Sequence, residues 1–195
     1  MKRNLLVLLT VLMSIVLAAA PSAADDNLLS VHGGVFMPDG NFSDTYDSMG
    51  GSLGFSFIRV NEYAGLEAAL TSYYLGGDTG DYKAIGLEVL VHFMNQDLEG
   101  LQPYGAFGMN VLNTSYDYPG GTLSDMGVGL VLKAGVRYFF DVRRNEYNNE
   151  KDKYFLGVYI KRFTNAILDD RIPLNVVDLD VGGQCICFEV GIWTD

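Results

Sequence analysis

The sequence predicts an all-β fold: a closed, antiparallel, up-and-down transmembrane barrel of about eight strands. Three observations carry that reading. From Leu28 onward the chain divides into about eight segments of period-two alternation, separated by clusters of Gly, Asp, Asn, Pro and Ser. Each segment has one bulky apolar face and one face of small and polar residues. The charges deep within segments all sit on the small, polar face, three of each sign.

The segments can be taken in order. Leu28–Met37 alternates Leu29, Val31 and Val35 with Ser30, His32 and Gly34. Met49–Val60 sets Leu53, Phe55 and Phe57 against Ser52, Gly54 and Ser56, and Ala64–Tyr74 sets Leu66, Ala68 and Leu70 against Glu67, Thr71 and Tyr73. In Lys83–Met94 the residues Ile85, Leu87, Val89, Val91 and Phe93 oppose Gly86, Glu88 and His92. Pro103–Asn113 opposes Phe107, Met109 and Val111 to Tyr104, Gly108 and Asn110. Met126–Phe140 carries Val128, Leu130, Leu132, Val136 and Tyr138 on one face and Lys133, Gly135 and Arg137 on the other. Tyr154–Phe163 pairs Leu156, Val158 and Ile160 with Gly157, Tyr159 and Lys161. Val177–Trp193 closes the series with Ile186, Phe188, Val190 and Ile192 against Gly183, Glu189 and Gly191.

Ahead of these segments stands a secretory signal peptide. Met1-Lys2-Arg3-Asn4 is a short basic leader, Leu5 to Ala20 is apolar or small throughout, and Ser22-x-Ala24 has the small residues that signal peptidase needs. Cleavage is expected after Ala24, which leaves residues 25–195 as one β-barrel domain. The formal charge of -11 rests on 24 acidic against 13 basic residues, and loss of Lys2 and Arg3 takes it to -13. So acidic a chain lacks the basic surface that nucleic-acid binding needs. Beyond Asp25 no run of about 18 apolar residues recurs, so a mature chain that crosses a membrane does so with strands.

Which face points inward separates two classes. In a soluble, lipocalin-like barrel the bulky face is the core and the other face meets water. A solvated face would be studded with charge, yet this one has six mid-strand charges diluted by about a dozen glycines, and glycine weakens an exposed strand. Small residues suit the inside of an eight-stranded barrel, whose lumen has just enough room for side chains. The bulky face then meets lipid, and the expected location is an outer membrane.

Charge placement agrees with this inversion. Glu67, Glu88, Lys133, Arg137, Lys161 and Glu189 all have inward parity, and in a confined lumen they must pair, because an isolated buried ion is very costly. They are expected to form one structural ion-pair cluster, with Glu88 and Lys133 the first pairing to test. Arg59, Lys83 and Arg162 share parity with the lipid face but fall at strand ends, where long side chains reach the interface. Tyr63, Phe93, Tyr138, Phe140 and Tyr154 gather toward one rim as an aromatic girdle.

With these features in place the chain resembles the small outer-membrane β-barrel domain family, relatives of the OmpA, OmpX and OmpW types. The stretch Leu29-Ser30-Val31-His32-Gly33-Gly34-Val35-Phe36 with Gly40-Asn41-Phe42-Ser43-Asp44 is similar to that family's first strand and loop. Tyr63-Ala64-Gly65-Leu66-Glu67, Gln102-Pro103-Tyr104-Gly105-Ala106-Phe107-Gly108 and Lys133-Ala134-Gly135-Val136-Arg137-Tyr138-Phe139 match its third, fifth and sixth strands. The resemblance implies a bacterial outer-membrane location among lipid and lipopolysaccharide. It also implies assembly by the barrel-insertion machinery, usually directed by a terminal aromatic residue. Here Trp193 has inward parity and is followed by Thr194-Asp195, a departure from that pattern.

Few residues are candidates for chemistry. His32 and His92 lie in no nucleophile arrangement of the kind a lipid-modifying barrel would need, and read as hydrogen-bonded lumen residues. Cys185 and Cys187 share one face about 6.5–7 Å apart, too far for an unstrained disulfide, and no third soft ligand lies near them in sequence. They read as two reduced thiols. Glu67 and Glu88 suggest a glycosidase-like carboxylate pair only until the neighbouring cations Lys133 and Arg137 are counted. No catalytic residue, cofactor or metal is therefore expected.

The outward connections are placed at Pro38–Ser48, Leu75–Tyr82, Thr114–Asp125 and Thr164–Val176. They hold nine aspartates against Arg171 alone and read as a solvated acidic rim, with loose Ca²⁺ or Mg²⁺ bridging to lipopolysaccharide phosphates as the functional alternative. The expected function is a non-enzymatic barrel serving envelope integrity or surface interaction. The alternatives are a soluble periplasmic barrel binding a small apolar ligand and OmpW-like passage of small apolar molecules.

Overall fold

The computed structural model describes residues 26–39, 49–60, 64–77, 80–94, 99–118, 120–143, 151–164, 166–167 and 182–194. The expected signal peptide, Tyr63 and, of the aspartates in the outward connections, Asp44, Asp47, Asp78, Asp169 and Asp170 lie outside them. The described chain is built of β1 (Asp26–Pro38), β2 (Gly50–Val60), β3 (Gly65–Leu75), β4 (Tyr82–Met94), β5 (Gly100–Tyr118), β6 (Gly121–Arg143), β7 (Lys151–Phe163), the short β8 (Ala166–Ile167) and β9 (Gly183–Thr194). Neighbouring strands pair antiparallel around one sheet, and pairing of β5 with β6 closes it into a ring. β8 pairs with β6 in the register that β7 has already set, so β7 and β8 occupy one position and the barrel has eight strands. Thr164 bridges the two, donating its N–H to the carbonyl of Leu130 at 3.0 Å while its Oγ1 accepts from the Leu130 N–H at 3.2 Å. No helix among the described residues is long and apolar enough to cross a membrane.

The two faces are inverted relative to a water-soluble protein, as the alternation predicts. Leu53, Leu130, Leu132 and Phe188 are 64%, 64%, 63% and 71% exposed, whereas Glu67, Glu88, Lys133, Arg137, Lys161 and Glu189 are all at most 4% exposed. An outward apolar band of this extent is stable only against lipid, since monomeric soluble proteins rarely expose apolar patches beyond a few hundred Å². Phe188→Arg, at the middle of β9, is therefore expected to cost about 2–4 kcal/mol in reversible unfolding from lipid vesicles. A neutral result would contradict the placement of this face in hydrocarbon.

Inside, the side chains stack in three layers. At the end that holds Asp26 and Thr194, Leu28, Ile58, Val60, Phe139 and Phe155 form an apolar cap. At the opposite end the Phe36 ring centroid lies 5.2 Å from that of Tyr73 and 5.7 Å from that of Phe163, with the tilted rings of Tyr82 and Tyr116 beside them, 5.3 Å apart. The ionised side chains lie between these caps.

One expected connection is shorter than its turn residues suggest. The segment Thr114–Asp125 is mostly ladder, because β5 and β6 remain paired through Asp117↔Thr122 and Tyr118↔Gly121. Its polar residues are the water-facing half of a strand pair: Thr114 and Tyr116 point inward and are buried while Ser115 and Asp117 point out. At the opposite rim β6 and β7 remain paired as far as Arg143↔Lys151. On the outer face the rim aromatics stack, with Phe93–Phe107, Tyr138–Phe140 and Phe140–Tyr154 centroids 5.8, 6.3 and 6.2 Å apart. Trp193 is half-buried against the apolar cap on the inward face, with the Lys153 ammonium 4.2 Å above its ring.

Candidate functional site

The six charges meet in the lumen as three pairs, each joining strands that are not neighbours in the sheet. Lys133 on β6 donates to Glu67 on β3 at 3.0 Å, and Glu67 also bonds His92 Nε2 from β4. Lys161 on β7 donates to Glu88 on β4 at 2.7 Å and to the Tyr73 hydroxyl at 2.7 Å, while that hydroxyl donates to Glu88 at 2.8 Å. Arg137 on β6 grips Glu189 on β9 with Nε and Nη2 at 2.8 and 3.1 Å, and the Tyr104 hydroxyl donates to the same carboxylate at 2.9 Å. Glu88 and Lys133, the pairing singled out for test, are not bonded to each other. Across the closed ring Lys161, rather than Lys133, reaches Glu88.

Glycine and tyrosine make room for this arrangement and insulate it. A Cβ at Gly157 would lie 2.7 Å from a Glu189 oxygen, so the strand beside the Arg137 pair must carry no side chain there. Lys133 sits 4.1 Å above the ring of Tyr159 and the Arg137 guanidinium 4.0 Å above that of Tyr104, favourable positions for a desolvated cation. The histidines are tied into the same layer: His32 lies 3.2 Å from the Thr71 hydroxyl, and His92 stacks on Tyr104 at 5.3 Å. The part played by His92 at Glu67 and by Thr71 at His32 is not visible in linear order, since both depend on how far neighbouring strands are staggered.

Chemically, this is a set of mutually neutralised groups. All six charges are buried, and among the described residues no group of three or more His, Cys, Asp or Glu side chains could hold a metal ion. Cys185 and Cys187 are free and buried. Near the distal rim three aspartates are engaged in surface pairs: Asp39 with Arg162 at 3.3 Å, and Asp81 and Asp117 with Lys83 at 3.5 and 3.7 Å.

The fold is shared with solved outer-membrane barrels. Neisserial surface protein A superposes with a TM-score of 0.58 at 12% identity, over 88% of this chain and 98% of that one. Ail, the attachment invasion locus protein of Yersinia pestis, superposes with a TM-score of 0.52 at 13% identity, over 89% of this chain and 100% of that one. The same protein in complex with the heparin analogue sucrose octasulfate gives 0.53 at 13% identity, over 87% and 98%. No curated protein matches the sequence. Residues 8–162 match the family described as the outer membrane protein beta-barrel domain, and with its closed ring and outward apolar face the chain belongs to that family of bacterial outer-membrane barrels.

Proposed function

We propose that this barrel is a non-enzymatic component of the outer membrane whose lumen is closed by its own side chains, and that it serves envelope integrity or surface interaction. The observation that carries the reading is the three-layered interior: an aromatic cap, a layer of paired charges and an apolar cap at the terminal end. A continuous water path would need to pass both caps, and water-filled channels belong to barrels of about 16 strands. Catalysis on a substrate is disfavoured for the same reason, since the polar lumen side chains are at most 9% exposed. A soluble ligand-binding barrel would need the bulky face inside, where this chain has Glu67, Glu88 and Arg137. The test is planar-bilayer recording of the purified protein: rare, small openings are expected, and steady porin-like conductance would refute the closed lumen.

Export and assembly complete the proposal. Cleavage after Ala24 is expected to give a barrel domain that begins at Asp25, and mass spectrometry of the protein from the outer membrane reads this directly. An intact Met1 would exclude it. The barrel-insertion machinery is the expected partner during assembly, and lipopolysaccharide the lipid met by the distal half of the apolar band.

A further inference from the structure

We propose that Cys185 and Cys187 form a two-coordinate site for copper(I), placed where the aromatic cap meets the ion-pair layer. Both thiols are free and fully buried, and they stand on the same inward face of β9 with one residue between them. Same-face neighbours on a strand are about 6.6 Å apart, whereas a disulfide needs Cβ atoms about 3.5–4.5 Å apart. Closing that gap would buckle β9, which is laddered to β1 on one side and β7 on the other. Two metal–sulfur bonds of about 2.3 Å span about 4.6 Å, and the two sulfurs already lie within hydrogen-bonding reach of each other, so side-chain rotation alone can set that span. The spacing that disfavours a disulfide suits a bridging ion.

The surroundings select the kind of ion. Soft thiolates favour copper(I), while zinc takes four ligands, and no cluster of three or more ligating groups exists among the described residues. Opposite Cys187 on β1 stands Gly34, and because it has no side chain Ser52 of β2 reaches across to within 3.5 Å of the Cys187 sulfur. Opposite Cys185 on β7 stands Lys161. Binding forms two copper–sulfur bonds and releases both thiol protons, with no change of oxidation state. The lumen gains one net negative charge, and it lies beside the Lys161 ammonium. Phe36, the ladder partner of Cys185 on β1, is part of the aromatic cap, so water is excluded once the ion is in place. The ion therefore enters before the ring closes.

The test is to refold the full chain into detergent micelles with copper(I) under ascorbate, then challenge it with the chromophoric chelator bicinchoninate. One copper per barrel is expected to resist the chelator. Cys185→Ser and Cys187→Ser, each checked for folding by heat-modifiability on a gel, are expected to lose about 100-fold or more in affinity, since one thiolate cannot complete the site. Copper-edge X-ray absorption on the unaltered protein reads the ligands without any substitution and is expected to show two sulfurs. Complete removal of copper by the chelator, a first shell of nitrogen and oxygen, undiminished retention in either folded variant, or a Cys185–Cys187 disulfide after refolding without reductant would each overturn the site.

Discussion

Arg137→Leu is expected to remove about 3–5 kcal/mol from the unfolding free energy of the barrel, measured by reversible urea unfolding in detergent or lipid. Arg137 is fully buried and bonds Glu189 through two nitrogens. Its loss leaves Glu189 with the Tyr104 hydroxyl alone and no opposite charge in contact. Glu189→Leu should cost a similar amount by stranding the guanidinium. The double variant is expected to recover much of the loss, because Arg137 Nη1 has no hydrogen-bond partner among the described residues and the pair is therefore not fully compensated for its desolvation. Arg162→Leu is the control: it removes an equally cationic side chain whose pair with Asp39 lies at the exposed rim, and should change stability by about 1 kcal/mol or less. Near-neutral behaviour of Arg137→Leu would contradict the dry, confined lumen.

The second large effect is expected from a single methyl group. A Cβ at Gly108 would lie 1.9 Å from the carbonyl oxygen of Val89 and 2.7 Å from Leu90 Cα, both backbone atoms of the adjacent β4. Overpacking usually costs about 1–3 kcal/mol because side chains can yield, and here the obstacle is a laddered strand, so Gly108→Ala is expected to exceed that range. The readout is loss of the heat-modifiable folded band on a gel. Gly105→Ala, three residues earlier on the lipid side, has no atom closer than 4.0 Å to the added carbon and should fold normally. Equal folding of the two variants would show that the inward and outward glycines are not distinguished as described.

How much of this was legible in the sequence depends on range. The inversion of the two faces follows from alternation alone, since Leu130 and Leu132 on one side of β6 and Lys133 and Arg137 on the other differ by parity whatever the strands do next. Trp193 is placed inward by the same parity and is found there. Choice of ion-pair partners is different. Glu88 meets Lys161 rather than Lys133 because of the stagger and curvature of strands that lie on opposite walls, and no local pattern encodes either quantity. The length of the β5–β6 hairpin is hidden for a third reason: Ser115, Asp117, Thr122 and Ser124 are turn-favouring types, but here they are the water-facing half of a paired strand that continues past the lipid.

The seam between β1 and β9 sets Asn27 opposite Thr194, so the ring is completed only by bringing the two ends of the described chain together. Until that happens β1 and β9 present unpaired backbone groups, which hydrocarbon does not tolerate. The lumen charges face the same difficulty, because Glu189 arrives on the last strand and Arg137 has no carboxylate in contact until it does. Insertion one hairpin at a time would carry an unneutralised cation through the bilayer. Closure and membrane entry are therefore expected to be one cooperative event, slow because its decisive contacts are the most distant in sequence.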